Sequence, residues 1–406
     1  MHAREIDVGS FDLLALPDDF VADPYRYFAA LRAESPVHRN SDGSFLLTRY
    51  DDLATVYRDP LGWSSDKKVD FAPKFGSESP LYEHHTTSVV FTDPPDHSRI
   101  RGLFQAAFTR KALAALEPRI AQLVDGYLDA FEDRRRMNVV EDFSFKLPIE
   151  MVCLMLGVPP GDRGLIRGWA VAILTALEPA LSQAQLDAGN RAVDDFKAYL
   201  RQLVRHRRRH PTDGASGEVL TALMQAEAGG EKLSEIELLH QCIFMLNAGH
   251  ETSTNMISHG VHEMLRRPGE VRRLIDEPAL IGSCVEEILR YQAPIQINNR
   301  KATRDAELGG TALPAGSTVH LMVGAANRDP AQFPDPDRFD IARRPNRHLS
   351  FGLGVHVCAG NTLGRIEGAI AFAKLFRRFP TLHLAGAAKL ANRIRFREIT
   401  ELHVAI

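Results

Sequence analysis

The segment LSEIELLHQCIFMLNAGHETSTNMISHGVHEMLRRP, Leu233 to Pro268, constrains the fold more than any other part of the chain. It reads as one helical stretch, and Ser234 followed by Glu237 makes a capping box at its start. At 1.5 Å per residue, about 30 helical residues cross an entire domain. A helix that long in a globular protein forms a central beam, and the remaining elements must pack around it. Shorter helical patterns flank it. Asp23 to Ser35 opens with Asp-Pro and spaces its apolar residues on one face. Further helices are expected from Arg110 to Phe131, from Leu147 to Val158, from about Asp187 to His206, and from about Asn361 to Phe376. The Leu147 helix is so apolar that it must be largely buried. Gly157, Pro159, Pro160 and Gly161 punctuate the chain after it, and His210 to Glu218 reads as a surface loop. Strand-like sequence is concentrated late, in Ala306 to Val323 and Arg393 to Ile406. The expected class is mainly α with a minor β region (α+β).

A length of 406 residues would allow two or three domains, but no internal repeat, long linker or low-complexity block marks a boundary. Lys and Arg total 49 against 52 for Asp and Glu, a net charge of −3 that gives no overall pull toward nucleic acid or anionic membrane. The densest basic cluster, Arg205 to His210, ends a helix, where cations offset the dipole and stay solvated. No stretch approaches the roughly 20 apolar residues of a membrane span, and the N-terminus lacks the pattern of a signal peptide. Cys153, Cys242, Cys284 and Cys358 are separated by 89, 42 and 74 residues, so no CxxC pair exists. A soluble protein of the reducing cytosol is the expectation.

One cysteine stands apart. HLSFGLGVHVCAG, His348 to Gly360, sets Phe351, Gly352, Gly354, His356, Cys358 and Gly360 in an irregular loop just before a helix. The glycines permit backbone shapes and approaches that side chains forbid. A helix N-terminus favours an anion, which biases a cysteine there toward thiolate, the form that ligates iron. The other three cysteines lie in apolar helical patterns and read as small core residues.

This loop matches FGxGxHxCxG at every fixed position and so resembles the cytochrome P-450 superfamily, the haem-thiolate monooxygenases. The resemblance implies Cys358 as the axial ligand of haem b, pushing electron density toward the iron to favour O–O cleavage. Backbone N–H groups of the loop are expected to hydrogen-bond the sulfur. Further segments agree. Ala248, Gly249, His250, Glu251 and Thr252 fall on the family's oxygen-binding stretch. Small Ala248 and Gly249 would let a flat ligand lie on the helix, and Thr252 can bond back to the carbonyl four residues earlier. The resemblance assigns the proton relay to Glu251 and Thr252. It also implies a buried structural triad of Glu287, Arg290 and Arg338. His97, Arg101, Arg300 and His356 align with haem-propionate ligands, a task for which the planar fork of arginine is suited. The departures are slight: Ser253 stands where Thr is common, and Asn247 replaces an apolar residue.

The matches run in family order from about residue 93 to 360, which implies a single domain, 1–406, of triangular-prism shape around a long helix and a buried haem. Substrate walls carried over from the family are Val89, Val90, Phe244, Asn247, Ala248, Ile295, Gln296 and Ile297, with Ile394 a weaker member. This mainly apolar set, with Asn247 and Gln296 as polar points, suits a mid-sized apolar molecule bearing an oxygen function. No flavin or iron–sulfur motif is present, so electrons must come from outside. The resemblance implies a ferredoxin, fed by an NAD(P)H-dependent reductase, that docks on the cysteine side. Arg110, Lys111, Arg343, Arg344, Arg347 and Arg365 would supply the basic surface. The implied reaction is hydroxylation or epoxidation with dioxygen. A peroxide-driven peroxygenase is disfavoured by the retained relay residues, and a haem sensor by the lack of an appended signalling module.

Overall fold

In the computed structural model, residues 6–108, 113–178, 181–210, 219–226 and 232–406 are described. The long helix runs Glu235–Leu265, 31 residues, with the Ser234–Glu237 capping box in place. It is buried along nearly its whole length, including polar Gln241, Asn255, Ser258 and Glu263, as expected of a beam enclosed on all sides. The helices Lys146–Leu156, Arg163–Thr175 and Asn361–Arg378 pack against it. Lys146–Leu156 is largely buried and ends at Gly157 in the left-handed conformation, a C-cap that glycine adopts without strain.

Other boundaries moved. The helix expected from Arg110 begins at Glu117 and runs to Arg134, because Pro118 is pre-set for a first helical turn. Residues 109–112, which include Arg110 and Lys111, lie outside the described residues, as does most of the loop expected from His210. The helix expected from Asp187 starts four residues earlier, at Gln183, where Ser182 and Gln185 form a second capping box that the sequence reading did not use. It ends at Arg209 with His206, Arg207, Arg208 and Arg209 in its last turn.

The β portion is small. Ala306–Leu308 and Thr311–Leu313 form a hairpin across Gly309 and Gly310, both at positive φ, as a tight two-residue turn requires. Thr318–Met322 joins a five-stranded sheet in the order 37–39, 45–47, 318–322, 297–302, 63–64. The register Arg300↔Val319 and Asn298↔Leu321 fixes which residues of 297–302 face inward. Ile399–Glu401 and His403–Ala405 are the strands near the C-terminus. Among the described residues, no helix is long and apolar enough to cross a membrane.

Candidate active site

The Cys358 loop is held by its backbone. Gly352 and Gly354 have φ of 66° and 69°, and a Cβ on Gly354 would lie 2.2 Å from the Tyr57 carbonyl oxygen. Only glycine tolerates both demands at once. The Cys358 N–H donates to the Phe351 carbonyl at 2.8 Å, and the Gly360 N–H donates to the cysteine sulfur. Burial pushes the Cys358 thiol up. The Gly360 N–H and the charges of Arg101 and Arg365 oppose this but do not overcome it. A haem iron bound at this sulfur would supply the positive charge that deprotonates a coordinating thiol outright.

The central helix has one open strip. Between Leu238 and Val261 every residue is buried except Phe244, Ala248, Gly249 and Thr252. Their spacing places them on one face. The Thr252 hydroxyl donates to the Ala248 carbonyl at 2.9 Å, the back-bond expected from the sequence. Gly249 has a further reason to lack a side chain, since a Cβ would come within 2.9 Å of Val152 on the neighbouring helix. Ser253 donates to buried Glu367, on the helix that follows Cys358, at 2.7 Å. This bond ties the beam to the cysteine helix. Glu251 is buried and paired with Arg393, which also holds Glu178 at 2.6 Å and Glu398 at 3.0 Å. Burial raises the Glu251 carboxyl and Arg393 opposes the rise; its Oε2 has no hydrogen-bond partner.

Four cationic or titratable groups converge beside the cysteine loop. The rings of His97 and His356 lie 4.0 Å apart, centroid to centroid. Arg101 donates to the Val357 carbonyl at 2.6 Å, and among the described residues Arg300 donates a hydrogen bond only to the carbonyl of its neighbour Asn299, at 2.8 Å. His97 Nδ1, Arg101 Nε and His356 Nε2 are buried without partners. Burial, with Arg101 and Arg300 nearby, lowers His97 to about 4 and His356 to about 3. Unmet donors clustered in this way fit an anion with several acceptor oxygens. The two propionates of haem b have that chemistry, so the residues present fit the group.

The structure rearranges part of the expected set. Glu287 and Arg290 form the fully buried pair, at 2.8 Å. The third arginine is Arg343, 3.3 Å from Glu287, and not Arg338. Arg338 offers only its backbone carbonyl, to Arg290 and Arg343, while its side chain is 67% exposed. Arg343 consequently leaves the expected docking surface. Arg344 and Arg347 are exposed, and Arg365 is half-exposed and held by Glu286. On the substrate side, Val90 and Ile295 are half-buried. Asn247 is buried with Oδ1 unpartnered. Val89 packs into the main core and Ile297 into the N-terminal cluster with Phe28 and Met322. Ile394 lies against that same cluster. Gln296 turns away, donating to the Ala293 carbonyl at 2.7 Å and packing on Gly324. Side-chain direction in this segment follows from sheet register, which the residues alone do not reveal. The sequence reading missed Arg393 and Arg395. The alternation Arg393-Ile394-Arg395-Phe396-Arg397 carried the signal, since alternate residues of an extended chain share a face.

Known proteins agree with this geometry. The family model described as Cytochrome P450 matches residues 171–390. The chain is 36% identical over 380 residues to the biotin biosynthesis cytochrome P450 of Bacillus subtilis, spanning 90% of this chain and 92% of that protein. It is 36% identical over 378 residues to the 6-deoxyerythronolide B hydroxylase of Saccharopolyspora erythraea, spanning 90% and 91%. Among solved structures, P450BioI in complex with hexadec-9Z-enoic acid ligated acyl carrier protein superimposes with a TM-score of 0.89 at 34% identity, over 96% of this chain and 100% of that one. The family's cofactor is haem b, and its members use dioxygen, a small-molecule substrate and a redox partner. With its cysteine loop, open helix strip and anion-binding corner in place, the chain belongs to the cytochrome P450 family and is a monooxygenase.

Proposed function

We propose that this enzyme, acting as a single domain, hydroxylates or epoxidises a mid-sized, mainly apolar molecule with electrons from a ferredoxin. The observation that carries this reading is the open strip Phe244, Ala248, Gly249 and Thr252 on an otherwise buried beam. Haem b, held by Cys358 and by His97, Arg101, Arg300 and His356, supplies the chemistry that puts one atom of dioxygen into a C–H or C=C bond. Phe351, Gly352 and Gly360 shape the loop that would hold it, and Ala248 and Gly249 would leave room for the small reactant.

The chain's own task on the open side is to deliver protons. Thr252 Oγ1, fixed by its bond to the Ala248 carbonyl, presents a hydroxyl at the strip. Glu251 Oε2 is unbonded and its carboxyl is raised by burial, so it can carry a proton inward while Arg393 holds the other oxygen. Phe244, Val90 and Ile295 form apolar wall, with Asn247 Oδ1 free to accept from a substrate hydroxyl. Similarity to relatives named for 6-deoxyerythronolide B hydroxylation and for biotin biosynthesis supports an organic small molecule as the substrate.

A ferredoxin meets the exposed cations Arg344 and Arg347, with half-exposed Arg365 beside them, on the cysteine side. Incubation with a ferredoxin, its reductase, NAD(P)H and ligands that shift the iron from low to high spin tests the proposal. An oxygenated product dependent on all components is expected. Spectral binding without turnover would make the protein a haem-based binding module instead.

A further inference from the structure

Arg395 is enclosed beside the site, and its only recorded side-chain contact among the described residues is a distant one with the ring of its neighbour Phe396, 5.9 Å from guanidinium carbon to ring centroid. Its Nε is buried without a partner, and neither terminal nitrogen makes a hydrogen bond or ion pair among the described residues. Its backbone carbonyl accepts from the Gln296 N–H at 2.8 Å, and its neighbour Phe396 bridges to Ile295. These links fix it beside the proposed apolar wall. The residue is half-buried and does not belong to any of the hydrophobic core clusters.

The surrounding charges deepen the anomaly. The nearest carboxylates, Glu178 and Glu251, are both held by Arg393. Arg300 and Lys67 lie within electrostatic reach and add positive charge. Lys67 is buried and 3.4 Å from Asp70, but Asp70 is shared with Lys301 at 2.7 Å. Two propionates already have His97, Arg101, Arg300 and His356 as partners. One guanidinium, which cannot shed its charge in a protein, is left over. An enclosed, unpaired charge is costly unless a ligand supplies its counter-ion.

We infer that Arg395 is a substrate-positioning residue that binds a carboxylate, so that the preferred substrates of this enzyme are organic acids with an apolar body. The inference rests on the monooxygenase reading above and narrows it. The planar fork of Arg395 receives the carboxylate, and Phe244, Val90 and Ile295 receive the body. Distance from the carboxylate then selects which carbon lies near the open strip.

The test uses holoenzyme and two matched ligand pairs, dodecanoic acid against dodecanol and cyclohexanecarboxylic acid against cyclohexylmethanol, with the spin-state shift as readout. At least one acid is expected to bind about tenfold or more tightly than its alcohol, the worth of a charge-assisted pair. Arg395→Leu should erase that preference while leaving alcohol affinity within about twofold, and Arg395→Lys should restore part of it. Haem content of Arg395→Leu should equal that of the unaltered protein. Loss of haem from this variant would place Arg395 on a propionate and overturn the inference, as would acids binding no better than alcohols. Failure of the underlying reading looks different: the ferrous carbon monoxide complex would then lack the thiolate spectrum whatever ligand is added.

Discussion

Arg290 and Arg395 are both enclosed arginines of one chain, in opposite circumstances. Arg290 is fully buried and spends all five N–H groups: two bonds to Glu287 and one each to the carbonyls of Asn327, Pro336 and Arg338. Arg395 spends none. The first charge is committed to the fold and anchors the segment that leads into the cysteine loop. The second is kept available, and its counter-ion has to arrive from outside. A saturated arginine marks architecture, whereas an unsaturated one beside an active site marks recognition.

The contrast is broken most readily by stability measurements. Arg290→Leu leaves Glu287 buried with less of its charge balanced, and should cost about 3–5 kcal/mol in denaturant unfolding. Arg395→Leu removes an unpaired charge and should be neutral or stabilising. Equal losses in the two variants would end the comparison. On the open side, Thr252→Val should lower product yield by at least about tenfold while reductant is still consumed, because the hydroxyl that steers protons is gone. Oxygen uptake and product assayed together would show it, and full coupling in the variant would remove Thr252 from the relay.

Acidity gives a third handle. Burial lowers His85 to about 3, His259 to about 3 and His250 to about 4. The unfolded chain takes up these protons near 6.5, so it binds more protons than the folded state as pH falls below that value. Stability is therefore retained above about 6.5 and declines from there toward about 4, by up to about 1.4 kcal/mol per pH unit for each such histidine. Unfolding free energies across this window should fall less steeply in His250→Gln than in the parent. A pH-independent stability would contradict the buried neutral state of these rings. The smallest effect concerns docking. Arg344→Glu with Arg347→Glu should slow reduction by ferredoxin several-fold and flatten its salt dependence. Stopped-flow rates that are insensitive to both changes would place the partner elsewhere.

Much of this was legible in the residues, and for identifiable reasons. The beam announced itself through its length and the Ser234–Glu237 box, and the cysteine loop through glycines that the backbone demands at 352 and 354. Local signals of this kind survive in a linear string. The third arginine of the buried cluster did not, since Arg343 reaches Glu287 only through packing of segments far apart in sequence. Nor did the surroundings of the expected substrate wall: Gln296 bonds the Ala293 carbonyl and Ile297 packs with Phe28 and Met322, contacts that depend on partners elsewhere in the chain. The role of Arg395 was hidden for a similar reason: the Arg393-Ile394-Arg395-Phe396-Arg397 alternation is visible, but it gives no sign of whether the counter-charge of each arginine lies within the fold.

The central claim is a thiolate–iron bond from Cys358, and the ferrous carbon monoxide spectrum of purified holoenzyme tests it most directly. The account predicts a strongly red-shifted Soret band that disappears in Cys358→His while haem is still bound. A band at the ordinary position of a histidine-ligated haem in the unaltered protein would contradict it.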